Sequence, residues 1–115
     1  MNELERLTAA VLRFRDERDW KQFHNPKDLA LSLVLEAGEV LEVFQWKDAQ
    51  GVAEVAQARR EDLADELADV LCYTLLLASE LGIDLATALP AKLKKNALKY
   101  PVEKSRGSSS KYTEL

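Results

Sequence analysis

Two pairs of acidic residues, each with a three-residue spacing, are the residues of this sequence best suited to chemistry. They lie in the apolar stretches 29–46 and 61–81 and are Glu36 with Glu39 and Glu66 with Asp69. If both stretches are helices, the two carboxylates of each pair are neighbours on one helix face. At about 100° per residue, Glu36 falls within an apolar stripe and Glu66 falls on the flank of another. The carboxylates are therefore directed towards the interior rather than only towards water.

Carboxylates in such positions need a compensating charge, because ionised groups are rarely buried without a partner. Neither acidic pair contains a Lys, Arg or His that could supply this charge. Carboxylate oxygens without His or Cys ligands favour a hard cation, Mg²⁺ or Mn²⁺. The alternative is that the pairs are solvated surface, which is common on helices. Two pairs beside two apolar stripes favour a metal site.

Length and composition limit the other possibilities. The chain has 115 residues, 47% of them hydrophobic and 31% charged, which is typical of one soluble folded domain. The net charge of −4 argues against binding to duplex nucleic acid. The longest apolar run, 70–78, is too short to cross a membrane. A single cysteine, Cys72, and the lack of an apolar leader predict a reducing, cytoplasmic location.

The apolar periodicity predicts an all-α bundle of about four helices that positions the acidic pairs. The predicted helices are 2–19, 26–46, a third that begins between 52 and 60 and ends near 81, and 85–99. Asn25 is expected to cap the second helix with Pro26 at its first position, and Gly82 to end the third. Pro90 is expected to kink or restart the fourth helix. Residues 1–101 then form the domain and 102–115 a flexible tail.

Several motifs in order make the chain resemble a known family. E-x-x-E and E-x-x-D on successive helices resemble the MazG-like superfamily of all-α nucleoside triphosphate pyrophosphohydrolases. A closer resemblance, to the dCTP pyrophosphatase subgroup, rests on RDWKQFH at 18–24, LEAGE at 35–39, FQW at 44–46, ELADVLCY at 66–73, Lys92, Asn96, KYP at 99–101 and RGSSSKY at 106–112.

This resemblance implies a Mg²⁺-dependent hydrolase, with Mn²⁺ as a substitute, that cleaves a nucleoside triphosphate such as dCTP or a modified dCTP. The products would be the monophosphate and pyrophosphate, and the protein would be a homo-oligomer, commonly a tetramer built as a dimer of dimers. By the same resemblance, the metal-binding and catalytic residues are Glu36, Glu39, Glu66 and Asp69. The residues around the base and sugar are Trp20, His24, Trp46 and Tyr73, and those near the phosphates are Lys92, Asn96 and Lys99.

Three points stay open at the level of sequence. A carboxylate-bridged iron or manganese redox bundle is an alternative, but it normally uses Glu-x-x-His pairs. A non-catalytic helical interaction module would need neither metal nor pocket. In the tail, Arg106 and Lys111 beside Gly and Ser suit a polyphosphate, so this segment either closes over a site or is simply solvated.

Overall fold

The computed structural model describes all 115 residues, and its regular secondary structure is entirely helical. Its α-helices are α1 (Glu3–Glu17), α2 (Pro26–Phe44), α3 (Ala49–Ala58), α4 (Arg60–Leu81), α5 (Leu85–Lys99) and α6 (Val102–Ser105). Two 3₁₀ turns span Lys21–Phe23 and Tyr112–Glu114. The all-α prediction is confirmed.

Most helix ends follow from local capping chemistry. The Asn25 side chain accepts a hydrogen bond from the backbone N–H of Asp28, and Pro26 opens α2 as predicted. Gly82 ends α4 in the left-handed region, with φ of 68°. α2 ends at Phe44, two residues before its predicted end at Trp46. Trp46 itself has φ of 65°, a value that a helix does not accommodate.

The third predicted helix is two helices. α3 is capped by the Asp48 side chain, which accepts a hydrogen bond from the backbone N–H of Gly51. The break falls at Arg59, whose backbone (φ −111°, ψ 33°) is not helical. No Gly or Pro marks this position, so the periodicity continued through it and the sequence did not separate α3 from α4, although α4 begins at Arg60, within the predicted range of 52 to 60.

The chain divides at Gly82 into two compact units, Met1–Gly82 and Ile83–Leu115. In the first unit, α2 packs along α4, α1 packs against α4, and α3 contacts both α2 and α4. The centre of this unit is apolar, and its buried hydrophobic side chains are Leu29, Val43, Leu75, Leu76 and Ala78. The predicted acidic pairs lie on the two helices, α2 and α4, that share this core.

The second unit consists of α5, α6 and the C-terminal turn. α5 continues through Pro90, so the predicted alternative of a restart there is wrong. The Tyr112 ring packs edge-on against Tyr100 with centroids 5.9 Å apart, and Lys99 Nζ lies 4.9 Å from the centroid of Tyr112. These contacts connect the C-terminal turn to the end of α5, and closure of this segment over a site stays a prediction.

No single helix has the length and apolar content required to cross a membrane. Only α4 and α5, taken together as a bent pair, meet those criteria of length and composition.

Candidate functional site

Three of the four predicted carboxylates form one cluster. Glu36 and Glu39 project from α2, and Glu66 projects from α4. One carboxylate oxygen from each of the three lies within 4.8 Å of the others. The three-residue spacing places Glu36 and Glu39 on one face of α2, and the packing of α2 along α4 brings Glu66 to that face. Because the three carboxylates come from two helices, their proximity depends on the fold and not only on their spacing in the sequence.

Asp69, the fourth predicted ligand, lies beside this cluster without joining it. Its charge acts on both Glu36 and Glu66, where it raises the pKa of each carboxyl. Asp69 also lines a cavity to which Glu36 contributes. It is exposed, one helical turn after Glu66. Its position therefore connects the carboxylate cluster to the cavity.

The electrostatics of the cluster favour protonation when no cation is present. A side-chain hydrogen bond with Glu39 is the main cause that raises the pKa of Glu66 to about 7, followed by burial and the charges of Glu39, Glu36 and Asp69. The pKa of Glu36 is raised above 4.5, mainly by burial and then by Glu39. No Lys or Arg lowers either pKa. Like charges with no basic partner would be relieved by a bound cation.

Unsatisfied oxygen atoms support the same interpretation. Oε2 of Glu36 and Oε2 of Glu66 are buried and have no hydrogen-bond partner. Buried polar atoms in native structures are normally hydrogen-bonded or bound to an ion. All three cluster residues supply carboxylate oxygens, which are the ligands preferred by hard divalent cations. The residues present therefore fit a divalent metal ion.

A cavity of about 180 Å³ adjoins the carboxylates. It lies in the first unit, between α1, the 20–24 segment, α2 and α4. Its lining residues are Val11, Phe14, Arg15, Trp20, His24, Glu36, Asp69, Cys72, Tyr73 and Leu76. Aromatic and aliphatic side chains with a few convergent polar groups are typical of a small-molecule site.

The aromatic wall of the cavity is built locally. The Trp20 ring packs edge-on against Phe14, with centroids 5.8 Å apart and planes at 72°. Trp20 and His24 flank the 3₁₀ turn Lys21–Phe23, and the Nδ1 atom of His24 is buried without a hydrogen-bond partner. Burial, and then the charge of Glu36, raise the pKa of Tyr73. Tyr73 therefore stays a neutral phenol that can donate a hydrogen bond to a ligand.

The structure brings together only some of the residues predicted to surround a nucleotide. Trp20, His24 and Tyr73 line the cavity. Trp46 does not line it, because it lies beyond the end of α2 with 92% of its surface exposed. The three residues expected near the phosphates lie on α5 in the second unit and are Lys92, Asn96 and Lys99. The roles of these four residues stay predictions.

Two polar residues of the cavity were not predicted, Arg15 and Cys72. Arg15 is buried, with 7% of its surface exposed. A signal for it exists in the sequence, because Arg15 follows Leu4, Thr8 and Val11 at helical spacing on the inner stripe of α1. A charged residue on an apolar stripe is the same signal that identified Glu36. Burial and the nearby charges of Asp69 and Glu36 raise the pKa of Cys72, so its thiol stays protonated.

Comparisons with known proteins agree with this fold. A family model described as the MazG-like family matches residues 31–115. The curated relatives include dCTP pyrophosphatase 1 of Rattus norvegicus, 45% identical over 117 residues that cover the whole chain and 67% of the relative. The human dCTP pyrophosphatase 1 is 44% identical with the same coverage. The chain therefore belongs to the MazG-like family.

A solved structure is also similar. The crystal structure of a pyrophosphatase from Archaeoglobus fulgidus superimposes with a TM-score of 0.83 at 38% sequence identity. The match covers 88% of this chain and 94% of that one.

Proposed function

We propose that this protein is a nucleoside triphosphate pyrophosphohydrolase that converts dCTP, or a base-modified dCTP, to the monophosphate and pyrophosphate. The observation that carries the proposal is the position of the carboxylate cluster Glu36, Glu39 and Glu66 at the edge of an aromatic cavity. A metal–triphosphate and a base need these two environments side by side. The names of the rat and human relatives support dCTP as the substrate.

Mg²⁺ is the proposed metal, with Mn²⁺ as a substitute, and the proposed ligands are Glu36, Glu39, Glu66 and Asp69. When bound, the metal would neutralise phosphate charge and lower the pKa of a bound water. The unpartnered Oε2 atoms of Glu36 and Glu66 support this assignment. Asp69 lies outside the three-carboxylate cluster and would complete the set by a small side-chain movement.

The side chains of this chain have distinct tasks in the proposed reaction. Glu66 or Glu39 would accept a proton from the attacking water, since both carboxylates lie in the cluster that would hold the metal. Trp20 and Tyr73 would hold the base, since aromatic faces stack on any base. Attack at the α-phosphorus would then release pyrophosphate, and most of the catalysis would be positioning and charge neutralisation.

We further propose that the protein is a homo-oligomer, and a tetramer by its family resemblance. α2 is apolar on two opposite faces. One contains Leu29 and Val43, which are buried in the core. The other is exposed and consists of Leu31, Val34, Leu35 and Leu41, each more than half exposed. On α4, Leu67 and Leu71 are also exposed. A helix that is apolar on opposite faces is normally covered on both, and a second copy would cover the outer face.

The proposed function is tested by measuring pyrophosphate release from a panel of deoxynucleoside and ribonucleoside triphosphates with Mg²⁺ and with EDTA. The expected result is Mg²⁺-dependent release of pyrophosphate, fastest with dCTP. No turnover with any nucleotide would favour a non-catalytic interaction module. Release of orthophosphate instead of pyrophosphate would indicate a different hydrolase.

A further inference from the structure

Arg15 is a buried cation whose only ion-pair partner is its neighbour in sequence. The guanidinium Nε donates a hydrogen bond to Asp16 Oδ1 at 2.8 Å, and Nη2 lies 2.8 Å from the same oxygen. The Arg15 side chain is 9% exposed, whereas that of Asp16 is 58% exposed. Burying an arginine this deeply is costly unless its donors are used. The contact with Asp16 uses only one edge of the guanidinium.

The second edge of the guanidinium has no acceptor within the chain. Nη1 makes no hydrogen bond and no ion pair, and one of its hydrogens lies on the same side of the guanidinium as the remaining hydrogen of Nη2. This Nη1–Nη2 edge presents two parallel N–H donors. Arg15 also lines the aromatic cavity. Of the Arg15 donors, only those of this edge are left for a ligand in that cavity.

The cavity is suited to a base rather than to a whole nucleotide. Its volume of about 180 Å³ is smaller than sites that enclose a drug-sized ligand, about 300–1,000 Å³. Val11, Phe14 and Leu76 supply an apolar wall, while the carboxylates that line the cavity, Glu36 and Asp69, form one edge of it. A triphosphate with its cation belongs at the carboxylate edge, so the group within reach of Arg15 is the base.

The geometry points to a role for Arg15 as the residue that selects cytosine, by donating two parallel hydrogen bonds to its O2 and N3 atoms. This inference rests on the proposed nucleotide hydrolase function. Cytosine has two adjacent acceptors, O2 and N3. Uracil and thymine carry a hydrogen on N3, so one donor of the fork would face another donor and be left unpaired in a buried site. A site built to hydrogen-bond a substrate rejects an analogue that lacks the matching group.

Binding of nucleoside monophosphates tests this role without any turnover. Wild-type protein should bind dCMP more tightly than dUMP, measured by calorimetry with EDTA present. It should also bind 3-deaza-dCMP, in which N3 is replaced by C–H, more weakly than dCMP. A buried donor that is left unpaired lowers the affinity by a factor of about 5 to 150. Equal affinity for dCMP, dUMP and 3-deaza-dCMP would overturn the inference.

Arg15→Lys keeps the charge and removes the fork. It should reduce the preference for dCMP over dUMP to near unity, and 3-deaza-dCMP should then bind as well as dCMP. Arg13→Lys is the matched control, because Arg13 lies on the same helix, is 82% exposed and pairs with Glu17 at 2.8 Å. This control should leave both preferences unchanged. If Arg15→Lys weakens all three ligands equally, its role is structural and the inference is wrong.

If Arg15→Lys unfolds, the wild-type measurements still test the inference, because the 3-deaza probe alters the ligand and not the protein. Failure of this inference is also separable from failure of the proposed function. A wild-type enzyme that releases pyrophosphate from dCTP and dUTP equally well would contradict the role of Arg15 and the preference for dCTP, but not the hydrolase activity. If no pyrophosphate is released but dCMP is bound selectively, the hydrolase proposal is wrong and the role of Arg15 in binding the base is supported.

Discussion

Carboxylate oxygens of Glu66 on α4 and Glu39 on α2 lie within 4.8 Å of each other, and the interaction with Glu39 is the main reason why the pKa of Glu66 is raised to about 7. Two carboxyl groups this close resist ionising together, so one of them keeps its proton to a higher pH. The metal-free site is therefore partly protonated at neutral pH. A divalent cation would have to displace that proton, so metal binding and proton release should be linked.

The first prediction concerns the carboxylates themselves. Glu39→Gln and Glu66→Gln should each lower kcat by on the order of 100-fold or more, because each variant removes a metal ligand and a candidate base. Turnover of dCTP with saturating Mg²⁺ measures this effect. Glu42→Gln is the control, since Glu42 is exposed on α2 outside the cluster, and it should keep full activity. Near wild-type turnover by both cluster variants would contradict the metal site.

The second prediction concerns the stability of the metal-free protein against pH. The pKa of Glu66 is 4.5 in a model compound and about 7 in the fold, so the folded state binds a proton more tightly than the unfolded state. The contribution of Glu66 to stability is then fully present below pH 4.5 and is lost as the pH rises towards 7. The Tm of the wild-type protein minus that of Glu66→Gln, measured in EDTA, should therefore fall as the pH rises from 5 to 8.

Mg²⁺ should act in the opposite direction. It binds the deprotonated carboxylates, so the increase in Tm that it produces should grow as the pH rises from 5 to 8. If wild-type protein and Glu66→Gln have parallel Tm profiles in EDTA, the raised pKa of Glu66 is wrong.

The local signals in the sequence were sufficient for much of the fold. Asn25, Pro26 and Gly82 act within one turn of the chain, so they predicted helix ends correctly. The break at Arg59 was missed because it depends on how α3 packs on α2 and α4. Spacing predicted that Glu36 and Glu39 share a face, but only the packing of α2 against α4 decides that Glu66, and not Asp69, completes the cluster.

The cavity was the least predictable part. Trp20 and Trp46 both flank the second helix in sequence, yet only Trp20 lines the cavity. The left-handed backbone of Trp46, with φ of 65°, follows the end of α2 and is not indicated by its residue type. Arg15 was overlooked because charged residues on helices are normally solvated.

The third prediction uses the two tryptophans as a matched pair. Trp20→Ala should weaken dCMP binding, since stacking contributes about 1–3 kcal/mol per base, and should also lower Tm because Trp20 packs on Phe14. Trp46 is 92% exposed in a single chain, so Trp46→Ala should leave the stability of an isolated protomer unchanged. Calorimetric affinity and Tm, measured on both variants, separate the two effects. A large loss of affinity in Trp46→Ala without oligomer loss would place Trp46 in the site despite its exposure.

The fourth prediction concerns Gly38, which lies in the exposed apolar face of α2. Nothing lies within 4 Å of a Cβ built at this residue, so this chain has no steric need for glycine there. In a lone helix, Gly38→Ala should stabilise the protein by up to about 1 kcal/mol. If two copies cross closely at Gly38, the added methyl should instead weaken the oligomer, and Gly38→Leu should weaken it more. Light scattering and Tm on the two variants distinguish these outcomes, and a monomeric wild-type protein at micromolar concentration would rule out the assembly.

The central claim is that the protein cleaves a nucleoside triphosphate between the α- and β-phosphates. Hydrolysis of dCTP with Mg²⁺ in ¹⁸O-labelled water tests it most directly, because the position of the label identifies the phosphorus that is attacked. Mass spectrometry should find one ¹⁸O atom in dCMP and none in pyrophosphate. Label in orthophosphate with dCDP as the other product, or label in pyrophosphate, would contradict the account.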